Sequence, residues 1–205
     1  MSTLQLTGGS IEVIAGVMFS GKSEELMRRV RRAVIARKRV QVFKSHLDDR
    51  YQGLLSVSSH DGRSVAAIAV DSSLQIATRV DPTAHVIAID EAQFLDPGIV
   101  ALATTFAQRG RRVILAGTDT DFRGEPFGPM PQLMAVAEVV DKLHAICVLC
   151  GAPACRNQRL IDGEPATWNS PLIMVGGSES YEARCRACHI VRRQDEAQRI
   201  LAIGE

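Results

Sequence analysis

Two groups of residues in this 205-residue chain have the types and spacing that chemistry requires. The first is Gly16-Val17-Met18-Phe19-Ser20-Gly21-Lys22-Ser23, which fits the phosphate-loop pattern G-x-x-x-x-G-K-[ST] at every fixed position. Gly16 and Gly21 let the backbone wrap a polyphosphate with its N–H groups turned inward. A helix starting near Lys22 adds its positive end, Lys22 can reach the β- and γ-phosphates, and the Ser23 hydroxyl can ligate Mg²⁺. Downstream, residues 86–89 are apolar and run into Asp90-Glu91. An acid at such a strand tip holds the magnesium of a bound nucleotide, which makes Asp90 a candidate metal residue. Glu91 follows at the carboxyl edge, where a carboxylate can take a proton from an attacking hydroxyl or water. Its plainer reading is a helix N-terminal acid beside Gln93. Arg50, in Asp48-Asp49-Arg50, falls after a second predicted strand and is either a charge-neutralising group or a solvated loop arginine.

The second group is Cys147-Val148-Leu149-Cys150 and Cys185-Arg186-Ala187-Cys188. Two C-x-x-C pairs suit a closed tetrahedral zinc site, structural rather than catalytic. All five cysteines lie after residue 146, and in a reducing compartment such clustering points to metal rather than disulfides. Cys155 is then a spare thiol. His189 rivals Cys188 as fourth ligand, but Cys188 completes the paired spacing. The long stretch 151–184 between the pairs predicts a loop tied at its base by the metal. Within it, Met174-Val175-Gly176-Gly177 allows close backbone approach to a ligand and Tyr181 offers an aromatic face. Phe122 and Phe127, in the turn-rich stretch 117–131, either sandwich a planar ring or anchor their own loop.

These residues need a scaffold to position them. Short apolar runs at 11–15, 40–43, 66–70, 86–90 and 113–116 read as strands, alternating with helical patterns at 22–36, 72–79 and 97–108. That alternation predicts an α/β fold: a P-loop, RecA-like core with a mostly parallel sheet, plus a small C-terminal zinc-binding lasso domain. The expected divisions are 1–146 for the nucleotide-binding domain, 147–192 for the lasso and 193–205 for a tail, either a short helix or frayed. The arginines and lysine at 28, 29, 31, 32 and 37–39 read as a solvated helix face or subunit contact, because no aromatic residues interleave with them. A net charge of +1 gives no global field for nucleic acid or membrane, and no apolar run reaches membrane-span length. With no secretory pattern at the N-terminus, a cytoplasmic location is expected.

In order along the chain, the Met18-Phe19 insert in the phosphate loop, Asp48-x-Arg50, Asp90-Glu91-Ala92-Gln93-Phe94, Asp121-Phe122-Arg123-Gly124-x-Pro126-Phe127-Gly128, both C-x-x-C pairs and Gly176-Gly177…Tyr181 closely resemble the type II thymidine kinases, from about residue 11 to 189. The resemblance implies that ATP phosphorylates the 5′-hydroxyl of thymidine, and of deoxyuridine as well. It implies Glu91 as base, Lys22 and Arg50 as further catalytic groups, and Gly16 to Ser23 with Asp90 and Gln93 around ATP and Mg²⁺. Met18, Asp48, Arg50, Gln93, Phe122, Phe127, Leu172, Ile173, Met174, Val175, Gly176 and Tyr181 would contact the nucleoside. A homotetramer inhibited by thymidine triphosphate, with no nucleic-acid or membrane partner, is implied too. Two departures fall near the implied base pocket: Thr118 replaces a usual apolar residue, and Asn157 a usual threonine. Two other classes compete: a nucleic-acid-stimulated P-loop ATPase with a zinc ribbon, in which Asp90-Glu91 activates water, and a non-catalytic nucleotide- or zinc-binding module.

Overall fold

Apolar residues on both sides of a strand demand cover on both faces, and the strands of the first two thirds of the chain have that composition. The computed structural model describes residues 8–45, 56–58, 64–173 and 179–193. Its first elements are β1 (Ser10–Gly16), α1 (Lys22–Ile35), β2 (Val40–Ser45), β3 (Ser56–Ser58), β4 (Ser64–Val70), α2 (Ser73–Arg79), β5 (Val86–Asp90), α3 (Gly98–Gln108), β6 (Arg112–Gly117), α4 (Met130–Val136) and β7 (Val139–Leu143). The strands form one seven-stranded sheet in the order β3-β4-β2-β5-β6-β1-β7. All neighbours are parallel except the edge strand β3, which pairs antiparallel with β4.

Side-chain alternation divides the core into two layers. Ile14 of β1, Val42 of β2, Val86 and Ala88 of β5, and Ile114 and Ala116 of β6 pack with Leu26, Met27 and Val30 of α1. The intervening residues Val13, Phe43, Ile87, Ile89, Val113 and Leu115 pack with Ile76 of α2, Ile99 and Phe106 of α3, and Met130 and Leu133 of α4. Parallel strands carry β1, β5 and β6 to the same sheet edge, with Ala15 level with Gly117 and Ile89 level with Leu115. The phosphate loop and the acids therefore leave the sheet at the same edge, at the tips of β1 and β5 on either side of β6.

The arginine run is not uniformly solvated, contrary to the expectation from sequence. Arg31 and Arg32 are exposed, but Arg29 is buried and ion-paired to Glu12 of β1, Glu25 of α1 and Asp141 of β7. Glu25 lies one turn away on the same helix, but Glu12 and Asp141 lie 17 and 112 residues away, so a charge count along one helix cannot reveal them.

Two compact units emerge: Met1–Gly16, Gly21–Asp119 and Phe127–Leu143 form one; Val17–Ser20, Thr120–Pro126 and His144–Glu205 form the other. The stretch after Cys147 is more ordered than its expected loop-like character. The second unit contains a hairpin of β8 (Ala145–Ile146) and β9 (Pro153–Ala154), and a three-stranded antiparallel sheet of β10 (Arg156–Ile161), β11 (Glu164–Pro165) and β12 (Glu179–Arg184) in the order β11-β10-β12. Among the described residues, no helix is long and apolar enough to cross a membrane.

Candidate active site

In the first unit, the turn into α1 is made by Gly21 in the left-handed region, φ 83°, and no side chain caps the helix. Its first N–H groups are consequently available to an anion, as a phosphate site requires. Lys22 is buried, and burial lowers its pKa against the opposing pull of Glu91, Asp90 and Asp119. Ser23 Oγ donates to Asp90 Oδ2 at 3.0 Å. Asp90 has the same parity on β5 as Val86 and Ala88, so it faces the α1 layer where Ser23 begins the helix. Burial, then repulsion from Glu91, pushes its carboxyl up to about 6. A buried carboxylate and a hydroxyl 3.0 Å apart, beside an uncapped helix start, form a donor set suited to a nucleotide-bound Mg²⁺.

Glu91 is a left-handed non-glycine residue, φ 55° and ψ 41°, an uncommon backbone state that surrounding structure must hold. Three contacts hold it. Its N–H donates to Asp90 Oδ1 at 3.0 Å, its backbone starts the 3₁₀ turn Ala92–Phe94, and its carboxylate accepts from Gln93 Nε2. Gln93 is buried, and its Oε1 in turn accepts from the Thr118 N–H at 2.9 Å. A clamp therefore runs from the β6 tip through Gln93 to Glu91. Thr118, one of the two departures, joins it through its backbone.

Phe127 packs edge-on against Phe94, with ring centroids 5.5 Å apart. Three further charges, which sequence reasoning did not assign to the site, surround the same strand tips. Lys44 of β2 is level with Asp90 and draws its carboxyl downward. Asp119, just beyond β6, is buried with Oδ2 2.7 Å from Lys142 Nζ of β7, while its Oδ1 has no protein partner. Their signal was positional: each lies at or just past the carboxyl end of a strand.

In the second unit, Val17 is buried with Ala145, Cys147, Ala154 and Ala183. Met18 N–H donates to Asn157 Oδ1 at 2.8 Å, and Asn157 Nδ2 donates to the Thr120 carbonyl at 2.7 Å. Phe19 is left-handed at φ 64° and exposed, and Ser20 Oγ is buried with no protein partner. Phe122 is buried beneath the guanidinium groups of Arg123 and Arg159, at 4.9 Å and 5.2 Å from its centroid. Tyr181 lies 6.0 Å from Arg159. Leu172 and Ile173 are exposed. Asp48, Arg50, Met174, Val175, Gly176 and Gly177 lie outside the described residues.

The Sγ atoms of Cys147, Cys150, Cys185 and Cys188 all lie within 4.8 Å of one another, and those of Cys150 and Cys185 are 3.7 Å apart. Four thiolates around tetrahedral zinc at about 2.3 Å are separated by about 3.8 Å, so the cluster fits that ion. Within the cluster, the backbone N–H of Cys185 leads the groups that draw the Cys147 thiol down, while the hydrogen bond with Cys185 leads those that push the Cys188 thiol up. His189 lies outside this cluster, and its Nε2 is 2.8 Å from the Phe122 carbonyl oxygen. Cys155 lies outside the cluster.

Among solved structures, the chain is similar to the Legionella pneumophila ATPase DotB, with 15% identity over 63% of this chain and 34% of that one and a TM-score of 0.39. It therefore spans about a third of the length of the DotB chain. It is also similar to the flagellar accessory protein FlaH from Methanocaldococcus jannaschii, with 12% identity over 90% of this chain and 83% of that one and a TM-score of 0.48. Both scores fall below 0.5, too low to define a shared fold. The model of the family described as thymidine kinase matches residues 9–189, which takes in the phosphate loop, the Asp90-Glu91 tip and all four clustered cysteines. The chain belongs to the thymidine kinase family.

Proposed function

We propose that the protein transfers the γ-phosphoryl group of ATP to the 5′-hydroxyl of thymidine, and of deoxyuridine, with Glu91 as general base. The observation that carries this reading is the clamp on Glu91: a carboxylate held by Gln93, one residue from an Asp90–Ser23 pair at the start of a P-loop helix. Glu91 takes the hydroxyl proton as the nucleoside oxygen bonds to the γ-phosphorus. The bond from that phosphorus to the β–γ bridging oxygen breaks, and ADP leaves. Lys22 neutralises the phosphate charge, and Arg50 contributes to that neutralisation. Ser23 and Asp90 would hold Mg²⁺, which supplies further charge neutralisation. Gly16 to Gly21 wrap the polyphosphate, and Met18, Asp48, Phe122, Phe127, Tyr181 and residues 172–176 belong to the nucleoside side. A homotetramer, feedback inhibition by thymidine triphosphate and a cytoplasmic setting accompany the reading.

The test pairs radiolabelled ATP and Mg²⁺ with each common deoxynucleoside separately; thymidine should become the labelled monophosphate. Glu91→Gln should lower kcat by about two to four orders of magnitude while ATP still binds. Near-normal turnover in that variant would remove Glu91 as the base.

A further inference from the structure

The tip of the phosphate loop belongs to the cysteine-bearing unit, not to the sheet from which the loop springs. Two independent contacts place it there. The Val17 side chain, 1% exposed, fills the small core made by Ala145, Cys147, Ala154 and Ala183, with Cys185 and Cys188 packed against it. That core is the floor of the thiol cluster. The next residue is tied by a different force. Asn157, 2% exposed, spends its amide oxygen on the Met18 N–H and its amide nitrogen on the Thr120 carbonyl. One orientation of the amide satisfies both, and its reversal satisfies neither.

The loop needs such anchors. Phe19, the next residue, holds a left-handed backbone without being glycine and with an exposed ring, so its own packing does not enforce that state. Freed at Val17 and Met18, it would relax toward extended geometry and the nest of inward N–H groups would open. We propose that Val17 and Asn157 are positioning residues for the phosphate loop, and that the thiol-bound metal thereby sets the protein's affinity for ATP. The metal does so without touching the nucleotide: it fixes the small core on which Val17 rests. Preorganisation of the loop is the quantity transmitted.

This inference rests on the loop binding ATP, so ATP binding is measured directly, with a non-hydrolysable analogue and calorimetry, beside zinc content and deuterium uptake. In the zinc-loaded full chain, Asn157→Ala should keep about one zinc, raise deuterium uptake at residues 17–20 but not in 26–35, and weaken the analogue about tenfold. The second arm needs no variant. Chelating the wild type should raise uptake at 17–20 and weaken the analogue, and added Zn²⁺ should restore both. Wild-type protein that binds no analogue would overturn the phosphate-loop reading itself. Normal wild-type binding, with uptake and affinity unchanged in both arms, would overturn the coupling and leave that reading standing.

Discussion

Gln93→Met is the sharpest probe of the clamp, because methionine keeps the length and volume of glutamine and deletes both of its polar ends. Two bonds go. The Thr118 N–H, buried at the β6 tip, loses its acceptor 2.9 Å away and is left unpaired, at a cost of about 1–3 kcal/mol. The bond to the Glu91 carboxylate is charge-assisted, worth about 1.5–3 kcal/mol where water cannot replace it. Glu91 is only half-buried and can recruit water, so that loss should fall at the lower end. Together the variant should lose about 2–4 kcal/mol of stability, read from urea unfolding followed by a probe in the sheet unit. Turnover should suffer separately. Glu91 would keep its charge but lose the contact that aims it, and misaiming a base lowers kcat by about 10- to 100-fold. KM for ATP should move less than about threefold, since Gly21, Lys22 and Ser23 keep their own contacts. Wild-type kcat in a folded Gln93→Met protein would refute the clamp. So would a rise in the KM for ATP matching the whole loss of kcat/KM.

Gly128→Ala should be among the most damaging single methyl additions, because at φ 51° its Cβ would lie 2.1 Å from the Gln93 carbonyl oxygen. Neither backbone can yield cheaply, so about 2–4 kcal/mol of destabilisation and a further fall in kcat are expected by calorimetry and steady-state assay. Arg29→Met should cost only about 1–3 kcal/mol despite Arg29's burial, because Arg112 still holds both Glu12 oxygens, at 2.6 Å and 2.9 Å; urea unfolding checks this. Glu25 is held down at about 2, first by Arg28, against an ordinary value of 4.5. A depressed carboxyl stabilises the fold above the ordinary value, and that contribution disappears as pH falls toward 2. The thermal advantage of wild type over Glu25→Gln, at most about 2 kcal/mol at this partly exposed site, should therefore shrink between pH 4.5 and 2.

The parallel core was legible because strands buried on both faces write continuous apolar runs. The runs at 11–15, 40–43, 66–70, 86–90 and 113–116 all lie within observed strands. What escaped had other signatures. β7 is an edge strand whose Val139-Val140-Asp141-Lys142-Leu143 is only half covered, and two of its charges are spent on Arg29 and Asp119. α4 starts at Met130-Pro131, where the proline resembles loop punctuation although the first turn of a helix tolerates it. β10 defeats apolar patterning altogether. Its Asn157, Gln158 and Arg159 are buried, and Gln158 bonds to Ile190 from both ends of its amide while Arg159 donates to the Pro171 carbonyl. Of the site, the phosphate loop, the strand-tip acids and the cysteine pairs were legible because each is a local spacing. Asp119, Lys142 and Lys44 were not, because only pairing of distant strands brings them to one edge.

The two departures from the family pattern can now be weighed by what their polar atoms do. Both fall near the base pocket that the resemblance implies. Asn157 commits both ends of its amide to backbone, Oδ1 accepting from the Met18 N–H and Nδ2 donating to the Thr120 carbonyl. Asn157→Thr, restoring the usual residue, offers one shorter hydroxyl in place of an amide that reaches two backbone groups. It should keep at most one of the two ties. The expected result is weaker ATP binding by about three- to tenfold, with the ratio of kcat/KM for thymidine over deoxycytidine changed by less than about threefold. Competition assays with both nucleosides measure that ratio directly. A large swing in the ratio at constant ATP affinity would mean that Asn157 reads the base, and that its amide leaves the Met18 backbone when nucleoside binds.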